Sequence, residues 1–323
     1  MTMEYVHTPV MLNEVLSFFP VENTNLQTGS LLCIDANTGE AGHSAALLAA
    51  FPEIKMVCIE VDKNIFEIAK KRLEPYRDRV HFYNGWSHDF FADYPSELKR
   101  PNFVLFDCGI SAWHYKNSAK GFSFEKDEIL DMRLDENGNV TAADLIARLP
   151  EKELADLIYN NSGEKYSRRI ASLIADERQK SAITTTAALC DLIKRAVPAA
   201  YRHGSIHPAT RTFQALRIAV NGELSKLHTL LEAALRTIES KGRLAVISFH
   251  SDEDRIVKHF IRSMNKNCIC PQKAPICNCG FRSINVLTKK GISPSKEEIE
   301  RNPPSRSARL RVIEKILEED IND

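Results

Sequence analysis

Glycine and proline are scarce, at 13 and 14 of 323 residues, too few for a fibrous or low-complexity chain. Net charge of either sign is also missing, because 43 lysines and arginines face 43 aspartates and glutamates. A wholly basic, histone-like nucleic-acid binder is thereby excluded, since that mode needs a large positive field. A local basic face is not excluded. No apolar run approaches the roughly 18 residues of a membrane span, so no membrane partner is expected. Residues 1–19 lack a basic start and an unbroken apolar stretch, so no secretory leader is expected either. A cytoplasmic location with reduced thiols follows as the expectation. What is present is ordinary for a globular protein: 43% hydrophobic and 27% charged residues, in a length that suits about two domains.

The eight cysteines are placed unevenly. Cys33, Cys58, Cys108 and Cys190 are scattered, mostly within apolar runs, and read as core thiols. Cys268, Cys270, Cys277 and Cys279 form C-x-C-x6-C-x-C. Four thiolates suit a structural tetrahedral zinc ion, although C-x-C is tighter than the usual ligand spacing. A loop of reduced, unliganded thiols is the alternative.

Strand-like and helix-like segments alternate in the first third. Leu31–Ile34, Met56–Ile59, Val80–Tyr83 and Phe103–Phe106 read as strands, with helices at His43–Phe51 and Asn64–Leu73 between them. This order predicts an α/β fold, a parallel sheet with helices on both faces. From about Ala119 to Ala200 the pattern is helical only. Pro208–Leu224 reads as one strong helix, its stripe formed by Phe213, Leu216, Val220 and Leu224. Another helix (Leu227–Ser240) and a strand (Arg243–Phe249) follow. The expected organisation is an α/β domain of residues 1–115 and 207–323, interrupted by a helical domain of residues 116–206. The last part carries the cysteine cluster and a basic C-terminal segment.

Ligands of open α/β sheets bind beyond the carboxyl ends of the strands. Asp35 and the Gly39–Gly42 turn end the first strand, and Glu60 ends the second, about 20 residues on, where an acid accepts hydrogen bonds from ribose hydroxyls. The phosphate-cradling G-x-G-x-x-G is absent. S-adenosylmethionine, with a ribose and no phosphate, suits the looser turn; a simple tight connection is the alternative. Asp107 ends the fourth strand and can accept a hydrogen bond from an exocyclic amine, as can Ser111. Cys108 has no basic neighbour to lower its pKa and is a poor nucleophile. On the strong helix Arg211 and Arg217 are candidate phosphate contacts and Asn221 a candidate base reader, against the alternative of a solvated face. His250 follows a strand at the same sheet edge.

Six sequence blocks, in order, resemble the bacterial small-subunit ribosomal RNA cytosine-N4 methyltransferase family over nearly the whole chain. They are His7-Thr8-Pro9-Val10, Gly39 to Ser44, Gly121 to Phe124 followed by Leu130 to Arg133, His207 to Ile218, Ser248 to Arg255, and Asn302 to Arg311. The block beginning at His207 is the most specific. The resemblance implies a class I, Rossmann-like methyltransferase domain interrupted by a helical substrate-recognition domain. It implies cofactor contacts at Ala41, Gly42, His43, Glu60, Trp86, Asp107 and His114, with Trp86 in looser register. Several positions depart from the family pattern: Asn37 for threonine, Ala41 for glycine, Glu60 for aspartate, Ala112 for serine, His114 for glutamine and Asp252 for leucine.

The chemistry implied is in-line methyl transfer to cytosine N4, with Asp107, Ser111 and His250 as the catalytic candidates. A C5 methyltransferase needs an activated cysteine beside the base, and none is evident. The substrate implied is small-subunit ribosomal RNA or the assembled small subunit. Arg211, Arg217, Asn221, Arg306 and Arg309 are the RNA-contacting candidates, with Arg202, Arg301 and Arg311 adding to the basic surface. A homodimer is left open. The rival reading is a non-catalytic RNA-binding or ribosome-assembly protein on the same scaffold. A nicotinamide-dependent oxidoreductase is a third, disfavoured by the missing phosphate motif.

Overall fold

A computed structural model describes residues 8–20, 31–204, 206–266 and 283–316. The chain divides into two compact units: residues 1–109 with 226–323, and residues 110–225. These boundaries lie a few residues before, and about twenty residues beyond, those suggested by the sequence.

The first unit opens with α1 (Leu12–Ser17), β1 (Leu32–Asp35), α2 (Gly42–Ala50), β2 (Lys55–Glu60), α3 (Lys63–Leu73), β3 (Val80–Asn84), α4 (Ser87–Ala92) and β4 (Phe103–Asp107). The second unit holds α5 (Ala112–Asn117), α6 (Ala142–Arg148), α7 (Glu151–Ser162), α8 (Ser167–Glu177), α9 (Thr186–Ala196), α10 (Ala199–Arg202) and α11 (Thr210–Asn221). Helix α12 (Glu223–Thr237) begins at the boundary, and β5 (Arg243–Ser248), α13 (Ser251–Met264), β6 (Ile284–Val286), α14 (Lys296–Arg301) and β7 (Arg309–Lys315) complete the first unit.

Seven strands form one sheet in the order β3-β2-β1-β4-β5-β7-β6. The first five are parallel, and β7 runs antiparallel between β5 and β6. This is the α/β sheet expected from the sequence, interrupted after β4 by helices. Strands β1 and β4 are buried over nearly their full length because both faces are covered. One face packs Cys33, Leu105 and Ile247 against Val15 and Leu47; the other packs Ile34, Phe106 and Val246 against Phe90, Leu231 and Phe260. Strand order reverses between β1 and β4, so the crevice that binds ligands in such sheets opens beside Asp35 and Asp107.

Local chemistry sets the element ends. Oδ1 of Asp62 accepts N–H bonds from Asn64 and Ile65 and starts α3, whose last turn carries Lys70, Lys71 and Arg72 toward the negative end of the helix dipole. Helix α11 stops at Asn221, three residues short of the expected end, because Gly222 takes a left-handed conformation with φ 63°. The antiparallel pair β6–β7 is not among the strands expected from sequence. Among the described residues no helix is long and apolar enough to cross a membrane.

Candidate active site

The carboxyl ends of β1, β2 and β4 bring three carboxylates around the turn at residues 36–41. Asp35 is 1% exposed, and the Ser44 hydroxyl donates to its Oδ2 at 2.6 Å. Its Oδ1 has no hydrogen-bond partner among the described residues. Burial pushes the Asp35 carboxyl up to about 6; the Ser44 bond and His43 oppose the rise and Asp107 adds to it.

The turn is tied down on both sides. Ala36 N–H donates to Leu105 O and Thr38 N–H to Ile59 O, each at 2.9 Å, and Ala41 N–H donates to Thr38 O at 2.8 Å. Gly39 and Ala41 both adopt left-handed conformations, with φ 53° and 60°. Ala41 therefore keeps the backbone path that glycine follows freely, at a cost of about 1–2 kcal/mol, while its methyl group joins the apolar core. Gly42 opens α2, and a Cβ there would meet the Pro9 ring at 3.0 to 3.2 Å.

Glu60 is fixed by backbone donors: Gly39 N–H reaches Oε2 and Asp62 N–H reaches Oε1, both at 2.9 Å. His43, on the first turn of α2, places Nε2 3.5 Å from Oδ2 of Asp107. Neither ring nitrogen of His43, nor Oδ1 of Asp107, has a hydrogen-bond partner among the described residues. Trp86 precedes α4, with the Lys226 ammonium 5.3 Å from its ring centroid. On the neighbouring strand Ile247 pairs with Asp107, and His250 caps α13 just beyond it. Glu253 holds that corner: its Oε2 accepts N–H bonds from Phe249 at 2.7 Å and His250 at 3.2 Å, and Oε1 lies 3.1 Å from His250 Nε2.

The first unit thus gathers Ala41, Gly42, His43, Glu60, Trp86, Asp107 and His250. Asp35, expected at this edge as the acid ending β1, joins them, and Lys226 is added without any expectation from the sequence. Ser111 and His114 fall in the second unit. There Ser111 Oγ accepts the Trp113 N–H at 3.2 Å and caps α5, while the buried His114 ring packs 5.2 Å from Phe122. Arg211 donates to the Tyr201 hydroxyl at 3.0 Å, which donates to Glu164 at 2.6 Å.

Arg217 and Asn221, candidate RNA contacts, carry hydrogen bonds within the second unit. Arg217 grips Glu223 through Nε and Nη2, both at 2.9 Å, and donates Nη1 to the Tyr115 hydroxyl at 2.7 Å. Asn221 is buried, with both amide protons donated, to Met132 O at 2.8 Å and Arg217 O at 2.9 Å. Its oxygen accepts Leu134 N–H at 2.9 Å, so no donor remains to read a base. Helix α11 packs on α6 and α7, which covers the flank that helical spacing alone leaves solvated. Arg306 is exposed, and Arg309 donates Nη1 to Ser293 Oγ at 2.5 Å.

The expected zinc ligands Cys268, Cys270, Cys277 and Cys279 lie outside the described residues. Among the described residues no group of His, Cys, Asp or Glu is placed to hold a metal ion. Burial pushes the Cys58 thiol up to about 12 and raises Cys33 well above its ordinary range, so neither is a nucleophile. What remains is a polar crevice where Asp35, Asp107 and His43 hold buried atoms without a hydrogen-bond partner among the described residues.

The model of the MraW methylase family matches residues 4–316. A ribosomal RNA small subunit methyltransferase H from Treponema denticola is 50% identical over 316 residues, 97% of this chain and 98% of that protein. Proteins of the same name from Treponema pallidum and Carboxydothermus hydrogenoformans are 39% and 41% identical, covering 96% and 97% of this chain and 92% and 99% of their own lengths.

Proposed function

The chain belongs to the MraW methylase family, and from that premise we propose that it transfers a methyl group from S-adenosylmethionine to N4 of a cytidine in small-subunit ribosomal RNA. The observation that carries the reading is the cluster of buried, unpartnered polar atoms on Asp35, His43 and Asp107 at the strand-order reversal. A fully buried polar atom without a partner costs about 1–3 kcal/mol, which a polar ligand recovers. The turn at Gly39 and the carboxylate of Glu60, fixed by two backbone donors, fit a ribose with vicinal hydroxyls. Trp86, two residues beyond the Asn84 that pairs with Glu60, offers an aromatic face at the same sheet edge. His114 and Ser111 enter on the family resemblance, and the same assay tests them.

S-adenosylmethionine supplies an activated methyl group on a sulfonium. The cytosine N4 lone pair is delocalised into the ring, so the protein's work is positioning and electrostatics. Asp107 accepts a hydrogen bond from the exocyclic amine and orients its lone pair, while His43, 3.5 Å away, steadies the carboxylate. His250, held by Glu253, faces the substrate from the end of β5. No metal and no covalent protein intermediate is required. The RNA presents its base unpaired or flipped, with Arg211, Arg306 and Arg309 as phosphate contacts.

Ala41 and His114 suggested the non-catalytic rival. The left-handed Ala41 preserves the turn and removes one of those grounds.

The test is transfer of labelled methyl onto ribosomal RNA and onto assembled subunits from a strain lacking the gene, followed by nucleoside mass spectrometry. Label in N4-methylcytidine that disappears with Asp107→Ala, in protein that still folds, supports the reading. Label in another nucleoside, or none, overturns it.

A further inference from the structure

Strand β7 alternates. Leu310 and Val312 enter the apolar core, and Arg309 and Arg311 therefore stand on the opposite face. Arg311 is only 8% exposed. Its Nε donates to Asp254 Oδ1 at 2.7 Å and its Nη2 to Oδ2 at 3.4 Å, which fixes the guanidinium against α13. Asp254 also pairs with Lys258 at 3.3 Å. Burial pushes the Asp254 carboxyl up, but the hydrogen bond and charge of Arg311, with Lys258, outweigh it and hold Asp254 below the usual carboxylate range. It stays ionised and acts as the brace of a cationic wall.

That wall belongs to a cleft of about 580 Å³ lined by Lys258, Arg262, Lys289, Lys290 and Arg311. Asp254 offsets Arg311 and Lys258 in part. Among the described residues Arg262, Lys289 and Lys290 have no ion-pair partner, and Arg311 Nη1 has no hydrogen-bond partner. Gly291, at φ 72°, closes the turn after the two lysines, and a Cβ there would come within 3.0 Å of Arg309 and 3.3 Å of Arg311. Cations that share one cleft repel one another, and an anion between them lowers the repulsion. A fixed guanidinium with flanking ammonium groups is a phosphate-recognising set. Ile261, Asn265 and Val286, which complete the lining among the described residues, carry no negative charge.

We propose that this cleft binds backbone phosphodiesters of the RNA substrate, away from the target nucleotide. The proposal rests on the RNA reading above. Its position supports it: Val246 pairs with Arg311 and the adjacent Ile247 with Asp107, so Arg311 stands near the level of Asp107 and two strands away. Two strand spacings are about 10 Å, a distance that a strand spans in a few nucleotides. Phosphate contacts of this kind set register and leave base choice to the crevice.

The test uses the full chain carrying Lys289→Glu with Lys290→Glu, both exposed positions, and the neutral pair Arg262→Gln with Lys289→Gln as a second variant. Binding of a fluorescent small-subunit ribosomal RNA fragment is titrated across salt concentrations, alongside methylation kinetics, cofactor titration and thermal melting. Expected are at least tenfold weaker RNA binding, a salt slope shallower by about 1.4 for two lost single-strand contacts, a raised RNA KM, and unchanged kcat, cofactor Kd and Tm. Unchanged RNA affinity and salt slope in both variants overturn the proposal, as does tight binding of inorganic phosphate at the cleft with RNA binding indifferent to the substitutions. If the wild-type protein binds RNA but methylates none, the failure belongs to the proposed reaction, and the salt slopes still decide the cleft.

Discussion

Nε2 of His43 stands 3.5 Å from Oδ2 of Asp107, and beyond this approach the buried imidazole nitrogens and Asp107 Oδ1 have no hydrogen-bond partner among the described residues. A folding core gains nothing from such a pair. A binding site does, because the unpaired atoms become strong contacts once a ligand excludes water. Asp107→Ala should therefore lower methyl transfer at least 100-fold, the usual scale for losing one preorganised contact, while the Tm of the unliganded protein holds within about 2 °C. His43→Gln should weaken cofactor binding with a similarly small change in Tm. A large loss of Tm in both variants would assign the pair to the fold instead. Calorimetric cofactor titration and thermal melting separate the outcomes.

Asp35 carries a pH signature. Its carboxyl lies at about 6 in the folded protein against an ordinary 3.8. A pKa raised by folding contributes stability that is complete below the unfolded value and is lost as pH rises through the folded one. About two units correspond to roughly 3 kcal/mol. Unliganded wild-type protein should thus lose stability between pH 4 and pH 7. Asp35→Asn, which keeps an acceptor for Ser44, should show a flatter profile and a higher Tm at pH 7.5. Parallel profiles for the two proteins would sink the assignment.

At Ala41 two opposing effects nearly cancel. Ala41→Gly relieves a left-handed residue, worth about 1–2 kcal/mol, but removes a buried methyl worth about 0.8 kcal/mol and adds freedom to the unfolded chain. Urea denaturation should place this variant within about 1 kcal/mol of wild type. Ala41→Val adds a branched side chain in the same conformation and should cost more than about 2 kcal/mol. Loss of more than 2 kcal/mol in Ala41→Gly would show that the methyl group's packing dominates.

Asn221→Ala tests the reassignment of α11. It leaves Met132 O and Leu134 N–H buried without their partner, at about 1–3 kcal/mol for each unsatisfied group. Stability should fall by roughly 2–4 kcal/mol, read by urea denaturation. Reduced RNA affinity with unchanged stability would instead return Asn221 to the role of base reader.

These residues also show where sequence reasoning succeeds and stops. Strands β1, β2 and β4 are short apolar runs ending in an acid, so both the sheet and the positions of Asp35, Glu60 and Asp107 at its binding edge are legible from local pattern. The left-handed state of Ala41 is not legible, because nothing in an alanine announces it; it follows from the hydrogen bond to Thr38 and the glycine path of the turn. The hydrogen bonds of Arg217 and Asn221 within the second unit are not legible, because helical periodicity assumes one buried stripe, whereas α11 is covered by both α6 and α7. Strand β7 is not legible because Arg309 and Arg311 interrupt the apolar residues Leu310, Val312 and Ile313 that form it.

The insertion after β4 has a consequence for how the protein folds. Phe103 of β4 pairs in parallel with Arg243 of β5, so that ladder closes only after the intervening chain, with all of residues 110–225, has emerged. Strands β1 to β4 assemble first from neighbouring sequence, and until β5 arrives β4 is an open apolar edge able to pair with another chain. Early folding of the inserted helices shortens the effective loop and narrows that window. Substitutions that weaken the helical insert should for this reason raise aggregation during synthesis more than they lower the stability of the finished sheet.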